Sequence, residues 1–130
     1  MEKKYCFELE MKVRDYECDM QGIVNNANYQ HYLEHARHEF LQSTGTAFVD
    51  MREQGICRIE IDYKTSLKSQ DWFICKLFLR KEGAKFVFYQ DIFRRSDGKL
   101  CIKSRVETVC IVNGRISRGE ELEKLFKEYL

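Results

Sequence analysis

The chain has 130 residues, enough for one domain with its own hydrophobic core but too few for a second domain. Lysine and arginine number 22 against 21 aspartate and glutamate residues, and the net charge of +1 excludes a general electrostatic attraction to nucleic acid or to an acidic membrane. We therefore expect a single domain over residues 1–130, with no nucleic-acid or membrane partner and with any anionic ligand held locally.

The N-terminal residues Met1 to Lys4 lead directly into alternating polar and apolar sequence, without the apolar run of a signal peptide or of a membrane span. The six cysteines are scattered and form no Cys-x-x-Cys pair, so we expect reduced thiols. Both observations predict a cytoplasmic protein.

The first predicted elements are a strand and a long helix. Apolar and charged residues alternate strictly from Phe7 to Arg14, which predicts a half-buried strand. From Tyr29 the period becomes helical, and we expect one helix from about Asn26 to Thr44, followed by Gly45 as a stop signal. Its apolar stripe consists of Tyr29, Tyr32, Leu33, Ala36 and Phe40.

Strands dominate the rest of the chain. A further helical turn is predicted from Ala47 to Gln54, and alternation then resumes in a second strand from Cys57 to Lys64. Turn residues at Glu82-Gly83 and Asp97-Gly98 separate three more β-rich stretches, which should form an antiparallel meander. These stretches run from about Trp72 to Arg80, Lys85 to Arg95 and Leu100 to Asn113.

A short terminal helix completes the predicted fold. The run from Ser117 to Glu120 has the spacing of a capping box and is followed by apolar residues at helical intervals, namely Leu122, Leu125, Phe126 and Tyr129. This order of elements predicts an α+β fold, with an antiparallel sheet wrapped around the long helix. Because such a sheet has open edges that a second copy would cover, we expect a homodimer.

The segment between the first strand and the helix is the candidate site. Every second residue from Phe7 to Val13 is apolar and is expected to face inward. If the same alternation continued past Val13, the inward positions would be occupied by the acidic residues Asp15, Glu17 and Asp19. A solvated turn explains this pattern as readily as a site does. The chain then passes through a turn at Gly22 to the start of the helix, where free N–H groups favour negative charge.

Asp19 is the candidate reactive carboxylate, because it precedes the helix start. An acyl carbonyl whose oxygen faces the free N–H groups would be polarised, and the same groups would stabilise the oxyanion formed on attack. Asp19 would either attack the carbonyl directly or draw a proton from water. The sequence does not distinguish between Asp19 as a nucleophile and Asp19 as a general base.

The run VRDYECDMQGIVNNANY, from Val13 to Tyr29, continues with YLEHAR and resembles the signature of the 4-hydroxybenzoyl-CoA thioesterase family. The resemblance implies a hot-dog fold, a homodimer or homotetramer with active sites between subunits, and hydrolysis of acyl-CoA without a metal or cofactor. By position it implies that Asp19 is the catalytic carboxylate and that the backbone N–H of Asn26 polarises the carbonyl.

The resemblance also places the family's glycine on Gly22 and its helical Tyr, Glu and Arg on Tyr29, Glu34 and Arg37. Several relatives carry His at the position of Asn26, so an imidazole-dependent mechanism does not transfer to this chain. We expect substrate contacts from Gly22, Ile23, Asn25, Tyr29, Tyr63 and Thr65, the last two lining the acyl tunnel.

Other functions remain open on the same residues. Plant acyl-ACP thioesterases share part of the pattern, although Gln21 and Ile23 stand where they have Asn and His, so a carrier-protein substrate is an alternative. A non-catalytic acyl-CoA binding or sensor module is a second alternative. Hydratase chemistry ranks lower, because it would need an Asp and His pair near the helix.

Three further groups have a structural interpretation that we favour. His31, His35 and His38 have a spacing that suits zinc, but they lie opposite the apolar stripe, where a solvated face is expected. Cys18 has no identifiable basic partner that would activate a nucleophile. The basic residues around the Asp97-Gly98 turn could bind CoA phosphates, although solvated strands often carry such clusters, here Arg94, Arg95, Lys99, Lys103 and Arg105.

Overall fold

The computed structural model describes residues 5–44, 54–118, 123–124 and 126–130. The predicted order of elements is confirmed over these ranges, with one added strand. The elements are β1 (Phe7–Lys12), a 3-10 turn (Asp15–Glu17), α1 (Asn26–Ser43), β2 (Gln54–Tyr63), β3 (Trp72–Glu82), β4 (Lys85–Arg94), β5 (Leu100–Val112), β6 (Arg115–Ser117) and a second 3-10 turn (Lys127–Tyr129). No helix within these ranges is long and apolar enough to cross a bilayer.

The strands described form one antiparallel sheet in the order β1-β3-β4-β5-β2, with β6 paired to β5. Short turns join β3 to β4 and β4 to β5, as the sequence predicts. Because β1 and β2 lie at opposite edges of this path, α1, which connects them in sequence, crosses the face of the sheet. The α+β arrangement of a sheet around one helix is therefore confirmed.

Helix α1 packs through the predicted stripe. Tyr29, Tyr32, Leu33, Ala36 and Phe40 are all buried, whereas the residues on the opposite face are exposed. A fully buried leucine or phenylalanine side chain contributes roughly 1.5–3 kcal/mol of transfer free energy. The stripe therefore holds α1 against the sheet and fixes the place of its N-terminus.

Strand β6 is absent from the sequence prediction. Asn113 and Gly114 both have positive φ angles, 51° and 77°, as a two-residue type I′ hairpin turn requires. The chain therefore reverses after β5, and Ile111 pairs with Ile116. The predicted β-rich stretch from about Leu100 to Asn113 corresponds to β5, which ends at Val112. Ser117, the first residue of the predicted capping box, is the last residue of β6, and residues 119 and 120 of that box lie outside the described residues.

Two predicted helical segments lie largely outside the described residues. The predicted turn that starts at Ala47 is one of them, and Gln54, its predicted last residue, instead begins β2. The terminal segment is described only in part, since residues 119–122 and 125 are not included. Within the described part Phe126 is fully buried, and the Tyr129 ring lies 5.2 Å from the Phe40 ring. This end of the chain packs on the core as predicted.

Edge strand β2 is less covered than its alternation suggests. Ile59 and Tyr63, which lie on the apolar side of the alternation, are 37% and 49% exposed, and Ile56 is 50% exposed. The pairing with β5 also shifts register between Ile56 and Arg58. Among the strands described, β2 therefore lies at an edge of the sheet and has apolar residues on its surface, which is the kind of edge that other chains cover.

Candidate active site

The segment after β1 is fixed by the turn that precedes β3. The Asp15 carboxylate accepts hydrogen bonds from the Ser69 hydroxyl and from Gln70 Nε2, and these donors hold the pKa of Asp15 below its usual value. The Val13 N–H donates to the Asp71 carbonyl at 2.8 Å. Strand β1 therefore ends before Asp15, and the inward phase of the strand does not continue into the loop.

Asp19 lies at the start of a tight loop. Its N–H donates to the Ile23 carbonyl at 2.9 Å, and the Gly22 N–H donates to the Asp19 carbonyl at 3.0 Å. Gly22 closes the loop with a φ of 79°, which strains any residue that has a side chain. The chain turns back on itself so that Cys18 pairs with Val24.

The Asp19 carboxylate is exposed and oriented. Its Oδ1 accepts a hydrogen bond from the Gln21 N–H at 2.8 Å. Within the described part of the chain, no protein donor contacts its Oδ2. One oxygen therefore fixes the direction of the group, and the other is available to a water molecule or a substrate.

The N-terminus of α1 begins directly after this loop. The Asn25 side chain caps the helix by accepting a hydrogen bond from the Ala27 N–H at 2.9 Å, and the Asn25 N–H donates to the Glu17 carbonyl at 2.9 Å. The N–H of Asn26, the first helical residue, has no protein acceptor among the residues described. It is one of the orphan donors with which every helix starts.

Two tyrosines lie beside the helix start. The Tyr63 hydroxyl donates to the Asn26 carbonyl at 3.4 Å, and its ring centre is 5.7 Å from that of Tyr29. Tyr29 is buried, and its hydroxyl accepts a hydrogen bond from the Leu67 N–H at 2.9 Å. Tyr63 is therefore accessible at the helix start, whereas the Tyr29 hydroxyl is already occupied.

Most predicted site residues meet at this junction of loop, helix and strand end. Ile23 is half-buried and pairs with Lys68 in a short bridge. Thr65 follows two residues after Tyr63, and its N–H donates to the Cys101 carbonyl on β5 at 3.3 Å. The residues gathered at the junction are Asp19, Gly22, Ile23, Asn25, Asn26, Tyr29 and Tyr63.

Two of the three histidines and Cys18 have surroundings that favour a structural interpretation. His38 lies 3.9 Å from Glu34 and His35 lies 3.8 Å from Glu39, on the exposed helix face that the sequence predicts. Partial burial, together with nearby carboxylates of which Asp15 acts most strongly, raises the pKa of the Cys18 thiol. A raised pKa disfavours the nucleophilic thiolate.

The basic cluster around the Asp97-Gly98 turn is largely neutralised within the chain. Arg94 bonds to Asp97 at 2.8 Å, and Arg105 bonds to Glu82 at 2.7 Å. Arg95 forms an ion pair with Glu10. These pairs weaken the interpretation of the cluster as a phosphate site.

A buried polar pair beneath the helix was missed from the sequence. Arg37 is 6% exposed, and its Nη1 donates to Gln90 Oε1 at 3.0 Å. Gln90 in turn donates to the Leu33 carbonyl at 2.9 Å, and burial lowers the pKa of Arg37. Arg37 lies four residues after Leu33 of the apolar stripe, and this helical spacing is the sequence signal that could have predicted its burial. The pair joins α1 to β4 and so supports the helix that carries the site.

Residues 13–128 match a protein-family model described as the thioesterase-like superfamily. The match includes every residue at the junction of loop, helix and strand end.

Two chloroplast proteins of Arabidopsis thaliana are similar in sequence, the acyl-acyl carrier protein thioesterases ATL3 and ATL2. ATL3 is 37% identical over 86 residues, which is 63% of this chain and 45% of that protein. ATL2 is 34% identical over 113 residues, which is 82% of this chain and 59% of that protein. The chain thus spans about half the length of these two relatives.

A solved structure resembles nearly the whole chain. The hypothetical protein AQ1494 from Aquifex aeolicus superposes with a TM-score of 0.82 at 31% identity, covering 92% of this chain and 98% of that one. Together with the family match, this superposition confirms the hot-dog fold.

Proposed function

The chain belongs to the thioesterase-like superfamily, and from this membership we propose that it hydrolyses an acyl thioester to the free acid and the thiol. The observation that carries the proposal is the junction at which an oriented, exposed Asp19 carboxylate precedes the open N–H of Asn26. Thioester hydrolysis needs a nucleophile or base and a donor for the oxyanion. These two groups supply both requirements.

The proposed reaction proceeds at the start of α1. The acyl carbonyl oxygen accepts a hydrogen bond from the Asn26 N–H, where the helix dipole adds partial positive charge. Asp19 either attacks the carbonyl carbon, forming an anhydride that water then hydrolyses, or takes a proton from the attacking water. The carbon–sulfur bond breaks in both routes, and the departing thiolate is protonated.

Acyl-CoA is the substrate that we propose, because residues 13–37 resemble the 4-hydroxybenzoyl-CoA thioesterase family, and membership of that family is part of the proposal. The names of the two Arabidopsis relatives favour acyl-ACP as the alternative. The positions of Gly22, Ile23 and Asn25 in the loop suit contact with the thioester. The exposed Tyr63 ring suits contact with the acyl group, for which Tyr29 and Thr65 are the other proposed residues.

We also propose that the single domain forms a homodimer or homotetramer. The open edge of β2 with exposed Ile56, Ile59 and Tyr63 supports pairing with a second copy. All six cysteines are free thiols, which suits the reducing cytoplasm. Light scattering coupled to size exclusion would give the oligomeric state directly.

The experiment that tests the function is turnover of an acyl-CoA and acyl-ACP panel, followed by the loss of thioester ultraviolet absorbance. Asp19→Asn should lower kcat by about 10²–10⁴-fold, as for loss of a general base. Asp15→Asn is the matched control from the same segment and should retain most activity. Undiminished turnover by Asp19→Asn would overturn the assignment, and tight binding without turnover by the wild type would indicate a non-catalytic module.

A second variant tests the backbone donor. Proline suits the first helical position, and Asn25, with φ −62° and ψ 137°, already has the backbone that a residue before proline requires. Asn26→Pro should therefore fold and yet lose roughly 10²-fold in kcat, because its N–H is gone. Asn26→Ala keeps the N–H and should remain close to wild type. Equal kcat for the two variants would exclude the donor role.

A further inference from the structure

Glu17 lies two residues before Asp19 and is the most buried of the three acidic residues in this segment. Its side chain is 12% exposed, whereas Asp15 and Asp19 are both exposed. A carboxylate is rarely buried to this extent unless hydrogen bonds or ion pairs compensate it. The groups that donate to Glu17 therefore indicate what this residue holds in place.

The Glu17 carboxylate joins the end of β1 to α1. Its Oε1 accepts a hydrogen bond from the Arg14 N–H at 2.7 Å, and the carboxylate also accepts one from the Tyr32 hydroxyl on α1. Burial, followed by this hydrogen bond, raises the pKa of Tyr32, so the hydroxyl keeps the proton that it donates. The Arg14 guanidinium adds little, because its Nη1 lies 3.9 Å from the carboxylate and its side chain is 65% exposed.

The backbone carbonyl of the same residue holds the first turn of α1. It accepts hydrogen bonds from the Asn25 N–H at 2.9 Å and from Asn28 Nδ2 at 2.8 Å. Asn28 is itself fixed in the first turn, since its N–H donates to the Asn25 carbonyl at 2.9 Å. The side chain and the carbonyl of Glu17 therefore both bind α1, one at the helix start and the other at Tyr32.

Asp19 lies on a small hairpin whose base is the hydrogen bond between the Asn25 N–H and the Glu17 carbonyl. Further along the hairpin, the Asp19 N–H donates to the Ile23 carbonyl at 2.9 Å. The Asn26 N–H, the proposed carbonyl-polarising donor, follows directly after the base. A shift of Glu17 against α1 would therefore change the position of the Asp19 carboxylate relative to the Asn26 N–H.

We propose that Glu17 is a positioning residue of the hydrolase, which together with Asn28 fixes the Asp19 carboxylate relative to the start of α1. The inference rests on the proposed function, since it assigns a role in the reaction at Asp19. Reacting atoms must lie within about 3–3.5 Å of one another, and a misplacement of about 1 Å can cost about 10²-fold in rate. Hydrogen bonds that fix the hairpin base therefore act on kcat through Asp19.

Two substitutions of Glu17 test its side chain. Glu17→Ala leaves the Tyr32 hydroxyl without its acceptor and should lower kcat by roughly tenfold or more, with KM close to that of the wild type. Glu17→Gln should restore most of kcat, because its amide oxygen can accept the Arg14 N–H and the Tyr32 hydroxyl can accept from its amide nitrogen. Glu10→Ala, which removes an exposed glutamate from β1, is the matched control and should keep wild-type kcat.

Substitutions of Asn28 test the backbone side of the same contact. Asn28→Asp replaces the donor with an acceptor that faces the Glu17 carbonyl, and it should lower kcat at least as much as Asn28→Ala does. Gln30→Glu makes the same change from amide to carboxylate at an exposed position of α1 and should keep wild-type kcat. If Glu17→Ala does not fold, Glu17→Gln and the Asn28 variants still decide the proposal.

The position of the hairpin can also be measured without turnover, by amide hydrogen exchange in the full chain. The Asp19 and Asn25 N–H groups donate within the hairpin, so both should exchange at least several-fold faster in Glu17→Ala and Asn28→Asp through local opening. Ile92→Val is the control, because it lowers global stability from the buried core of β4 and should leave these two amides unchanged. Equal acceleration in this control would overturn the proposal.

The outcomes separate this inference from the proposed function. Faster exchange of the hairpin amides in a chain that hydrolyses no thioester would support the contact of Glu17 with α1 and overturn the hydrolase. Wild-type kcat and wild-type exchange in Glu17→Ala and Asn28→Asp would overturn the positioning role in an active enzyme. A raised KM with unchanged kcat would overturn it as well, as would an equal loss of kcat in Glu17→Gln and Glu17→Ala.

Discussion

The Tyr29 hydroxyl accepts a hydrogen bond from the backbone N–H of Leu67 at 2.9 Å. The Leu67 carbonyl accepts another from the N–H of Val24, also at 2.9 Å. Leu67 is fully buried and thus links the helix to the loop that carries Asp19. The position of the candidate carboxylate relative to the helix start depends on this residue from outside the motif.

Tyr29→Phe should destabilise the protein by about 1–3 kcal/mol, because it leaves the buried Leu67 N–H without an acceptor. Urea unfolding followed by circular dichroism measures the change. Tyr63→Phe removes a half-exposed hydroxyl that water can replace, so its cost should stay below about 1 kcal/mol. Equal losses in the two variants would contradict the structural role of the Tyr29 hydroxyl.

Gly22→Ala should cost about 1–2 kcal/mol, because the φ of 79° strains an L-residue although no atom crowds the new Cβ. The strain should also displace Asp19 and lower kcat. Gly98→Ala has the same open surroundings and a φ of 70°, far from the site in sequence. It should lose similar stability and keep full activity, which thermal unfolding and steady-state kinetics on both variants would check.

Substitutions of Asn25 should separate the effect of helix capping on stability from the effect of local charge on kcat. Asn25→Ala removes the cap of α1 and should destabilise the protein by about 1 kcal/mol. Asn25→Asp retains the cap and should preserve stability, but its negative charge beside the Asn26 N–H opposes an oxyanion and should reduce kcat. An aspartate variant with unchanged kcat would argue against oxyanion formation at the helix start.

The Arg94 and Asp97 pair should be visible in a pH titration. The hydrogen bonds from Arg94, together with the Lys99 N–H, lower the pKa of Asp97 to about 2. A depressed carboxylate pKa stabilises the fold above the unfolded value of about 3.9, and that contribution is lost as pH falls towards 2. Arg94→Met should return the NMR-measured pKa of Asp97 towards its ordinary range, whereas Arg95→Met should leave it unchanged.

The sequence predicts the fold wherever periodicity is uninterrupted. The helical stripe around Leu33 and the alternation from Phe7 to Arg14 each have one favourable arrangement, so both elements are found where they are expected. Strand β6 was missed because Asn113-Gly114 lies inside a continuous β-rich stretch, where the run of strand-forming residues outweighed the turn signal. The buried Arg37 and Gln90 pair also escaped prediction, since its partners lie on different elements.

One part of the candidate site is determined by residues that are close in sequence, and another part is determined by contacts between distant segments. Asp19, Gly22 and Asn26 lie within one short run, so their arrangement around a turn and a helix start follows from local rules. The hydroxyl of Tyr63 reaches the Asn26 carbonyl only through the pairing of β2 with β5.

The open donor at the start of α1 belongs to the peptide group and not to a side chain. Every amino acid except proline carries that donor, so the identity of residue 26 can drift over evolutionary time without a change in the proposed chemistry. Divergence at this position therefore says little about whether a homologue keeps the activity. Substitution of the neighbouring carboxylate or of the glycine turn is the more informative difference when such sequences are compared.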